Sequence, residues 1–192
     1  MIGRTVRGDQ GVSLIELIVG VVVSGVVMGL IAVAFANGSI AQKQALARDS
    51  ATSQANVVRA SLQASLRNAT SVRVSGGGTR VDAAVARVGG SMTGWMWECH
   101  AWVLVDESVR FDTGTGPRVS SPTGWVSLAG RSTQRPLDTV KPTSGSSAFT
   151  LVGSKGVQIG VQITAGTDPQ TVSIADGMTA QAVATEGATA CW

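Results

Sequence analysis

Three residues near the N-terminus, Gly11, Val12 and Glu16, carry the strongest chemical signal in the sequence. A short polar leader ends at Gly11, and the apolar run that follows it is interrupted only by the carboxylate of Glu16. After Glu16, no further charged residue occurs until Lys43. An ionised acid within a membrane-length apolar segment costs roughly 2.5 kcal/mol or more. The position of Glu16 therefore predicts a function in which a positive charge offsets that cost.

The element that holds Glu16 is predicted to be a membrane-spanning helix. Residues 17–36 are uncharged and mostly apolar, and as a helix they span roughly 30 Å, the thickness of a bilayer core. Arg4 and Arg7 precede this run. Because basic residues favour the cytoplasmic side, we expect the leader inside and everything after Asn37 outside.

Residues 11–17 resemble the cleavage and assembly signal of type IV prepilins and pseudopilins, whose usual form is Gly followed by Phe-Thr-Leu-Ile-Glu-Leu. In this chain Val12 and Ser13 replace the Phe and the Thr. The resemblance implies that a prepilin peptidase cuts after Gly11 and methylates Val12, the new first residue. It also implies that Glu16 pairs with the α-amino group of a neighbouring subunit during assembly.

Small residues recur along the predicted membrane helix, at Gly20, Ser24, Gly25 and Gly29. Gly25 and Gly29 have the GxxxG spacing that lets two helices approach closely. Glycine is also common in membrane helices in general, so packing and plain composition remain alternatives. We expect these four positions to lie at helix contacts.

The helical pattern continues outside the membrane, and we expect one long helix from residue 12 to about 70, loosened at Asn37-Gly38. An apolar stripe with three–four spacing predicts that its outer half packs on a globular domain; its members are Ala51, Ala55, Val58, Leu62, Leu66 and Ala69. The predicted fold is α+β, a long helix on an antiparallel sheet. Its predicted parts are a leader (1–11), a membrane and assembly half-helix (12–36), an external half-helix (37–72) and a β-rich domain (73–192).

The β-rich part is predicted from short apolar runs between turn residues, with Gly76-Gly77-Gly78 ending the helical region. Trp95–Val105 is the strongest strand candidate, and residues 130–147 read as a long loop. The weaker strands expected are 108–112, 124–129, 148–152, 157–164, 170–175 and 178–185. Asp176-Gly177 is expected to be a hairpin turn between the last two.

Composition and cysteine content indicate an exported protein, and the net charge gives no argument for nucleic acid by itself. The 192 residues carry a net charge of +3. Removing residues 1–11 takes away two Arg and one Asp, which leaves a net charge of +2, too little to argue for nucleic acid. In an exported protein, Cys99 and Cys191 are expected to form a disulfide; two free thiols are the alternative.

The remaining chemistry-bearing residues do not predict an enzyme. His100 is the single histidine, so we expect no His-based metal cluster, no Ser–His triad, no catalytic residue and no cofactor. His100 itself is expected at the surface or rim. We expect Trp95 and Trp97 in the core, and Trp102, Trp125 or Trp192 exposed.

The sequence therefore predicts a minor pilin or J-type pseudopilin, which is a structural subunit of a type IV pilus-like filament. Its expected partners are the membrane, the prepilin peptidase and other pilin subunits, with DNA or a secreted substrate as further candidates. It would wait in the cytoplasmic membrane and then join a filament at the cell surface or in the periplasm. A tip adhesin or DNA-uptake component is one alternative, and a secreted protein cleaved after Ala36 is another.

Overall fold

The computed structural model describes residues 13–88, 95–183 and 191–192. It has the predicted α+β fold, with one long helix, α1 (Leu14–Arg67), ahead of nine strands. The chain divides into two compact units, residues 1–42 and 43–192. The strands are β1 (Ala69–Ser75), β2 (Arg80–Val88), β3 (Trp95–Val105), β4 (Ser108–Gly114), β5 (Val126–Gly130), β6 (Thr139–Pro142), β7 (Phe149–Val152), β8 (Gly156–Ala165) and β9 (Gln170–Thr179).

The strands form two antiparallel sheets. In the first sheet β1 to β5 lie side by side in chain order, each antiparallel to the next. In the second sheet β8 is central: β9 pairs with one edge along its whole length. The other edge of β8 is shared by β7, which pairs with residues 156–159, and β6, which pairs with residues 161–164.

The core forms where the outer half of α1 meets the sheets. All six residues of the predicted apolar stripe, from Ala51 to Ala69, are buried. Val58, Leu62 and Leu66 are at most 1% exposed, and full burial of such a side chain contributes roughly 1.5–3 kcal/mol. The indole of Trp102, which is fully buried, donates a hydrogen bond to Ser61 Oγ of the helix at 3.0 Å. The three–four spacing therefore identified the packed face of α1 correctly up to Leu66, while Ala69 lies in β1.

The helix differs from its prediction at two points. It runs without interruption through Asn37-Gly38, so the expected loosening there is wrong. It also ends at Arg67, and β1 begins two residues later. The glycine triplet is instead the turn between β1 and β2, where Gly76, Gly77 and Gly78 all have positive φ. Glycine adopts that conformation without the steric cost that a Cβ imposes.

The expected hairpin at Asp176-Gly177 is wrong. Both residues lie inside β9, and Gly177 pairs with Gln158 of β8 in an unbroken register. A two-residue hairpin of this kind needs positive φ at both residues, and neither residue has it. The chain reverses earlier instead, between the end of β8 at Ala165 and Gln170, where Gly166 has φ +86°.

The predicted long loop at 130–147 is also partly wrong, since it contains β6. Proline, serine and threonine make this segment resemble a loop, but β6 is a short edge strand that pairs with β8. Val140 is buried at 1% exposure. Pro142 stands at the end of β6, where a missing N–H is tolerated. A long-range contact with β8 therefore decides the structure here.

Candidate functional site

The candidate site begins at the first turn of α1, where the structure places Glu16. Gly11 and Val12 lie outside the described residues. The N–H of Leu17 donates to the carbonyl of Ser13 at 3.1 Å, closing the first turn of the helix. Glu16 is the acidic residue of that turn and is exposed. A carboxylate near a helix N-terminus is stabilised by the partial positive charge of the unpaired N–H groups.

The helix that carries Glu16 presents apolar side chains on every side. Leu14 is 78% exposed and Phe35 is 80% exposed, and the large apolar residues between them are each at least 48% exposed. Of the described helices, α1 is the one whose length and composition would allow it to cross a membrane. Apolar surface this extensive indicates a contact with lipid or with other helices.

The predicted helix-packing residues lie on this same surface. Gly20, Ser24, Gly25 and Gly29 are all exposed. A Cβ placed on any of the three glycines would meet no atom of the described residues within 4 Å. Their role in helix packing stays a prediction about a neighbouring subunit.

The two cysteines are joined in a disulfide, as the sequence predicts. Cys99 lies on β3 and its Cα is 5.4 Å from that of Cys191. Both are almost fully buried and pack with Ala84 of β2. The bond fixes the end of the described chain to the middle of the first sheet.

His100 is part of a polar cluster that sequence reasoning missed. Its Nδ1 is 2.8 Å from Ser65 Oγ on α1, and its Nε2 is 3.3 Å from Glu98 Oε2. Glu98 is paired in turn with Arg87 at 2.9 Å. The His100 side chain is only 13% exposed, so it belongs to the rim of the core. Alternate residues of a strand point to the same side, so Glu98 and His100 share one face of β3. This two-residue spacing is the signal of the cluster that the sequence contains.

The order Ser65–His100–Glu98 resembles a hydrolase triad, but its surroundings do not suit one. Ser65 is buried within a helix, and its hydroxyl also lies 3.0 Å from the carbonyl oxygen of Ser61. A nucleophile must reach the carbonyl it attacks, and this hydroxyl faces the protein interior. The cluster links α1 to β3.

Burial and side-chain contacts together shift the pKa values of His100 and Glu98. Burial lowers the pKa of His100 below its ordinary value, and the nearby Glu98 carboxylate offsets only part of the effect. Burial raises the pKa of Glu98, but hydrogen bonds from His100 and Arg87 outweigh it and leave this pKa below its ordinary value. His100 is therefore neutral near pH 7.

The tryptophans are distributed differently from the prediction. Of the three tryptophans among which an exposed one was expected, Trp102 is fully buried and Trp125 is 8% exposed, which leaves Trp192. Trp97 is half-buried, and Trp192 is 41% exposed with the Arg73 guanidinium 5.2 Å from its ring centroid. Trp102 lies with His100 on the face of β3 that contacts α1, because alternate residues of a strand share a face.

Basic side chains on the first sheet are engaged by carboxylates. Arg80 makes a bidentate contact with Asp82, which is 1% exposed, and Arg73 approaches the same carboxylate at 3.5 Å. Arg118 pairs with Asp112 at 2.7 Å. These two carboxylates offset part of the positive charge of Arg73, Arg80 and Arg118. In the described residues, no group of three or more His, Cys, Asp or Glu side chains could hold a metal ion.

Comparison with known proteins identifies the N-terminal segment. The prokaryotic N-terminal methylation motif matches residues 6–32, which span Gly11, Val12, Glu16 and most of the exposed apolar helix. No curated protein and no solved structure matches the chain. The chain thus carries, at residues 6–32, the N-terminal methylation motif that is the signal of type IV pilin-like proteins.

Proposed function

We propose that this protein is a minor pilin or pseudopilin, a structural subunit of a type IV pilus-like filament. The observation that carries the proposal is the methylation motif at residues 6–32, with Glu16 as the one charged residue in the exposed first part of α1, residues 14–36. The proposed activity is assembly, so we assign no catalytic residue, metal or cofactor. The proposed partners are a prepilin peptidase and other pilin subunits.

The proposed sequence of events follows from where the charges lie. The protein is anchored in the cytoplasmic membrane by residues 12–36, with the β-rich domain (73–192) outside and the leader (1–11) inside. Cleavage after Gly11 exposes the α-amino group of Val12, which is then methylated. That ammonium is the cation available to offset Glu16 of an adjoining subunit in hydrocarbon. The exposed small residues Gly20, Ser24, Gly25 and Gly29 let neighbouring helices approach.

The first test is the mature N-terminus of the protein isolated from membranes. We expect the N-terminal peptide to begin with a methylated Val12, read by tandem mass spectrometry. A chain that begins at Asn37 would indicate ordinary secretion after Ala36. A chain that retains residues 1–11 would contradict the proposal as well.

The second test is Glu16→Ala, which removes the charge that the proposal requires. Loss of one partner of a buried ion pair costs about 3–5 kcal/mol, so incorporation into sheared filaments should fall by more than tenfold, while synthesis and cleavage continue. Asp49→Ala is the matched control, because Asp49 is an exposed carboxylate of the same helix. Normal incorporation of Glu16→Ala would contradict the proposed mechanism.

A further inference from the structure

One edge of the second sheet is a long strand without the usual protection of an edge. β9 has ten residues and pairs with β8 in an unbroken register, and no strand of the described residues pairs with its other side. Native edge strands are usually short, bent by a bulge, or occupied by lysine or proline. At the opposite edge of this sheet, β6 and β7 have only four residues each, and β6 ends in Pro142. β9 contains no lysine, proline or bulge, so it is open to pairing with another strand.

The hydrogen bonds of β8 show which main-chain groups of β9 point toward this open edge. The N–H of Gly160 donates to the carbonyl of Ala148, and the carbonyl of Gly160 accepts from the N–H of Thr143, each at 2.9 Å. Both groups of Gly160 therefore point away from β9. Gly160 lies opposite Ala175, so the N–H and carbonyl of Ala175 point away from β8. By alternation, the residues whose main chain faces the open edge are Thr171, Ser173, Ala175, Gly177 and Thr179.

Most of these main-chain groups are left to solvent. All five residues are exposed. The N–H of Gly177 donates to Asp176 Oδ1 at 2.9 Å. The main chains of Thr171, Ser173 and Ala175 make no hydrogen bond on this side to any residue within the described ranges. A row of alternating donors and acceptors of this kind is what an added strand recognises.

Two adjoining hollows lie between α1 and β9, and together we call them the edge groove. The first, of about 260 Å³, is bordered by residues 172–176 of β9 and, from α1, by Thr52, Ala55, Asn56 and Arg59. The second, of about 290 Å³, is bordered by residues 177–179 of β9 and by Gln63, Leu66, Arg67 and Gln181. The groove thus follows β9 over residues 172–179, a distance of about 23 Å in a strand.

The edge groove carries a net positive charge. Asp176 is the one carboxylate among the described residues that line it, and Arg59 is already paired with it at 2.6 Å. Arg67 lines the groove from α1 and is exposed. It makes no ion pair with any residue the structure describes. An occupant with an acidic side chain near Arg67 would complement this charge.

We propose that the edge groove binds an extended segment of another polypeptide, which adds to β9 as a strand and places an acidic side chain beside Arg67. A second copy of β9 fits less well, because its one acid, Asp176, already has Arg59 as its partner. A nucleic acid would match the charge but not the row of main-chain donors and acceptors. The groove lies within residues 52–181, and the inference does not depend on the proposed filament function.

Fluorescence polarisation with the full-length chain in detergent measures binding of a labelled eight-residue peptide. The peptide alternates threonine and valine and has glutamate at each end, so that an anion lies beside Arg67 whichever way the strand runs. We expect saturable binding of this peptide and at least threefold weaker binding of the same peptide with lysine at both ends. Equal affinity for the two peptides, or no binding of either, overturns the inference.

Substitutions at Ala175 test the main-chain contact. Ala175→Pro removes one N–H at the open edge and no hydrogen bond to β8, and edge strands tolerate proline. It should weaken peptide binding about fivefold, the effect of one lost hydrogen bond. Ala175→Thr is the matched control, because it keeps the N–H, and it should bind within twofold of the unmodified chain. Unweakened binding by Ala175→Pro would mean that β9 is not the surface used.

Substitutions on α1 test the charge preference. Arg67→Gln should weaken binding of the glutamate peptide about threefold, as expected for an exposed ion pair. Arg48→Gln is the control, since Arg48 is an exposed cation of the same helix outside the groove. It should leave binding unchanged. Equal losses in the two variants would show that the peptide responds only to overall charge, which contradicts the inference.

Hydrogen exchange read by mass spectrometry keeps the test decisive if Ala175→Pro disturbs the fold. In the unmodified chain, bound glutamate peptide should slow exchange in residues 170–179, because amides such as those of Thr171, Ser173 and Ala175 become hydrogen-bonded. Exchange in β8, whose amides are already paired, should not change. Bound peptide without protection of β9 overturns the inference, as does self-association of the peptide-free chain through β9. Either result leaves the proposed function standing, since that rests on residues 6–32.

Discussion

At the residue scale, the least expected group is His100, a buried imidazole between Ser65 and Glu98. Its pKa is lowered in the folded protein, whereas an unfolded chain titrates it near 6.5. Between these two values the unfolded state binds more protons, so the free energy of unfolding rises with pH. We therefore predict that stability is complete above about pH 6.5 and falls as the pH is lowered toward the pKa of folded His100.

Denaturant unfolding of the full chain in detergent, measured from pH 8 to pH 5, checks this prediction. His100→Gln is the control, because the amide keeps a polar contact to Ser65 but does not titrate in this range. We expect the variant to lose the stability change between pH 6.5 and 5. Glu98, whose pKa is also lowered, adds its own loss only at lower pH, as its carboxylate is protonated. An unchanged pH profile in His100→Gln would assign the dependence to other groups.

The residue-scale features that the sequence predicted are those whose signal is local or compositional. Glu16 is conspicuous because it interrupts an apolar run, and Cys99 and Cys191 because there are two of them. The contact of His100 with Ser65 joins residues 35 positions apart, and Gln54 reaches Asp138 across 84. No spacing in the sequence connects such pairs, so these contacts could not be predicted before the fold was known.

At the element scale, β9 gives the sharpest prediction, because Asp176-Gly177 was expected to turn and instead continues a strand. Gly177 has no positive φ, and a Cβ there would meet no atom within 4 Å. Glycine inside a strand costs roughly 0.5–1 kcal/mol relative to alanine, and threonine suits strands better still. We therefore predict that Gly177→Thr raises the free energy of unfolding by about 0.5–1 kcal/mol.

Gly153→Thr is the matched control for this prediction. A Cβ at Gly153 would also meet no atom within 4 Å, but its φ is +62°, in the turn between β7 and β8. A β-branched residue is strained there, so we expect the same substitution to destabilise the protein by about 1–2 kcal/mol. Thermal unfolding followed by circular dichroism compares the two. Destabilisation by Gly177→Thr equal to that of Gly153→Thr would mean that Gly177 occupies a turn.

The packed face of α1 was predicted from the sequence and β6 was not, and comparing the two shows why the fold was only partly predictable. The packed face of α1 is determined by one continuous segment of sequence, since residues such as Val58, Leu62 and Leu66 lie on the same side of a helix. β6 has four residues and contains a proline, so its own sequence does not favour a strand. It exists because β8 offers an edge at residues 161–164, and pairing of that kind is a property of the assembled sheet.

At the scale of the whole molecule, the disulfide is the predicted contact that joins the residues farthest apart in the sequence. It joins Cys99 to Cys191 across 92 positions, and the loop it closes contains β4 to β9, including the whole second sheet. In the chain-entropy model a loop of about 100 residues contributes about 4.7 kcal/mol, because the crosslink restricts the unfolded chain. That is a large part of the roughly 5–15 kcal/mol by which a typical domain is stable.

We predict that replacing both cysteines by alanine lowers the free energy of unfolding by about 4–5 kcal/mol, with little change in the folded sheets. Denaturant unfolding measures the loss, and a reductant provides the control: it should lower the stability of the unmodified chain to a similar extent and leave the double variant unchanged. The loss should appear in the signals of both sheets together, since the crosslink acts on the unfolded state of the whole loop. A loss confined to the end of the chain near Trp192 would show instead that the disulfide only fastens a terminal segment to β3.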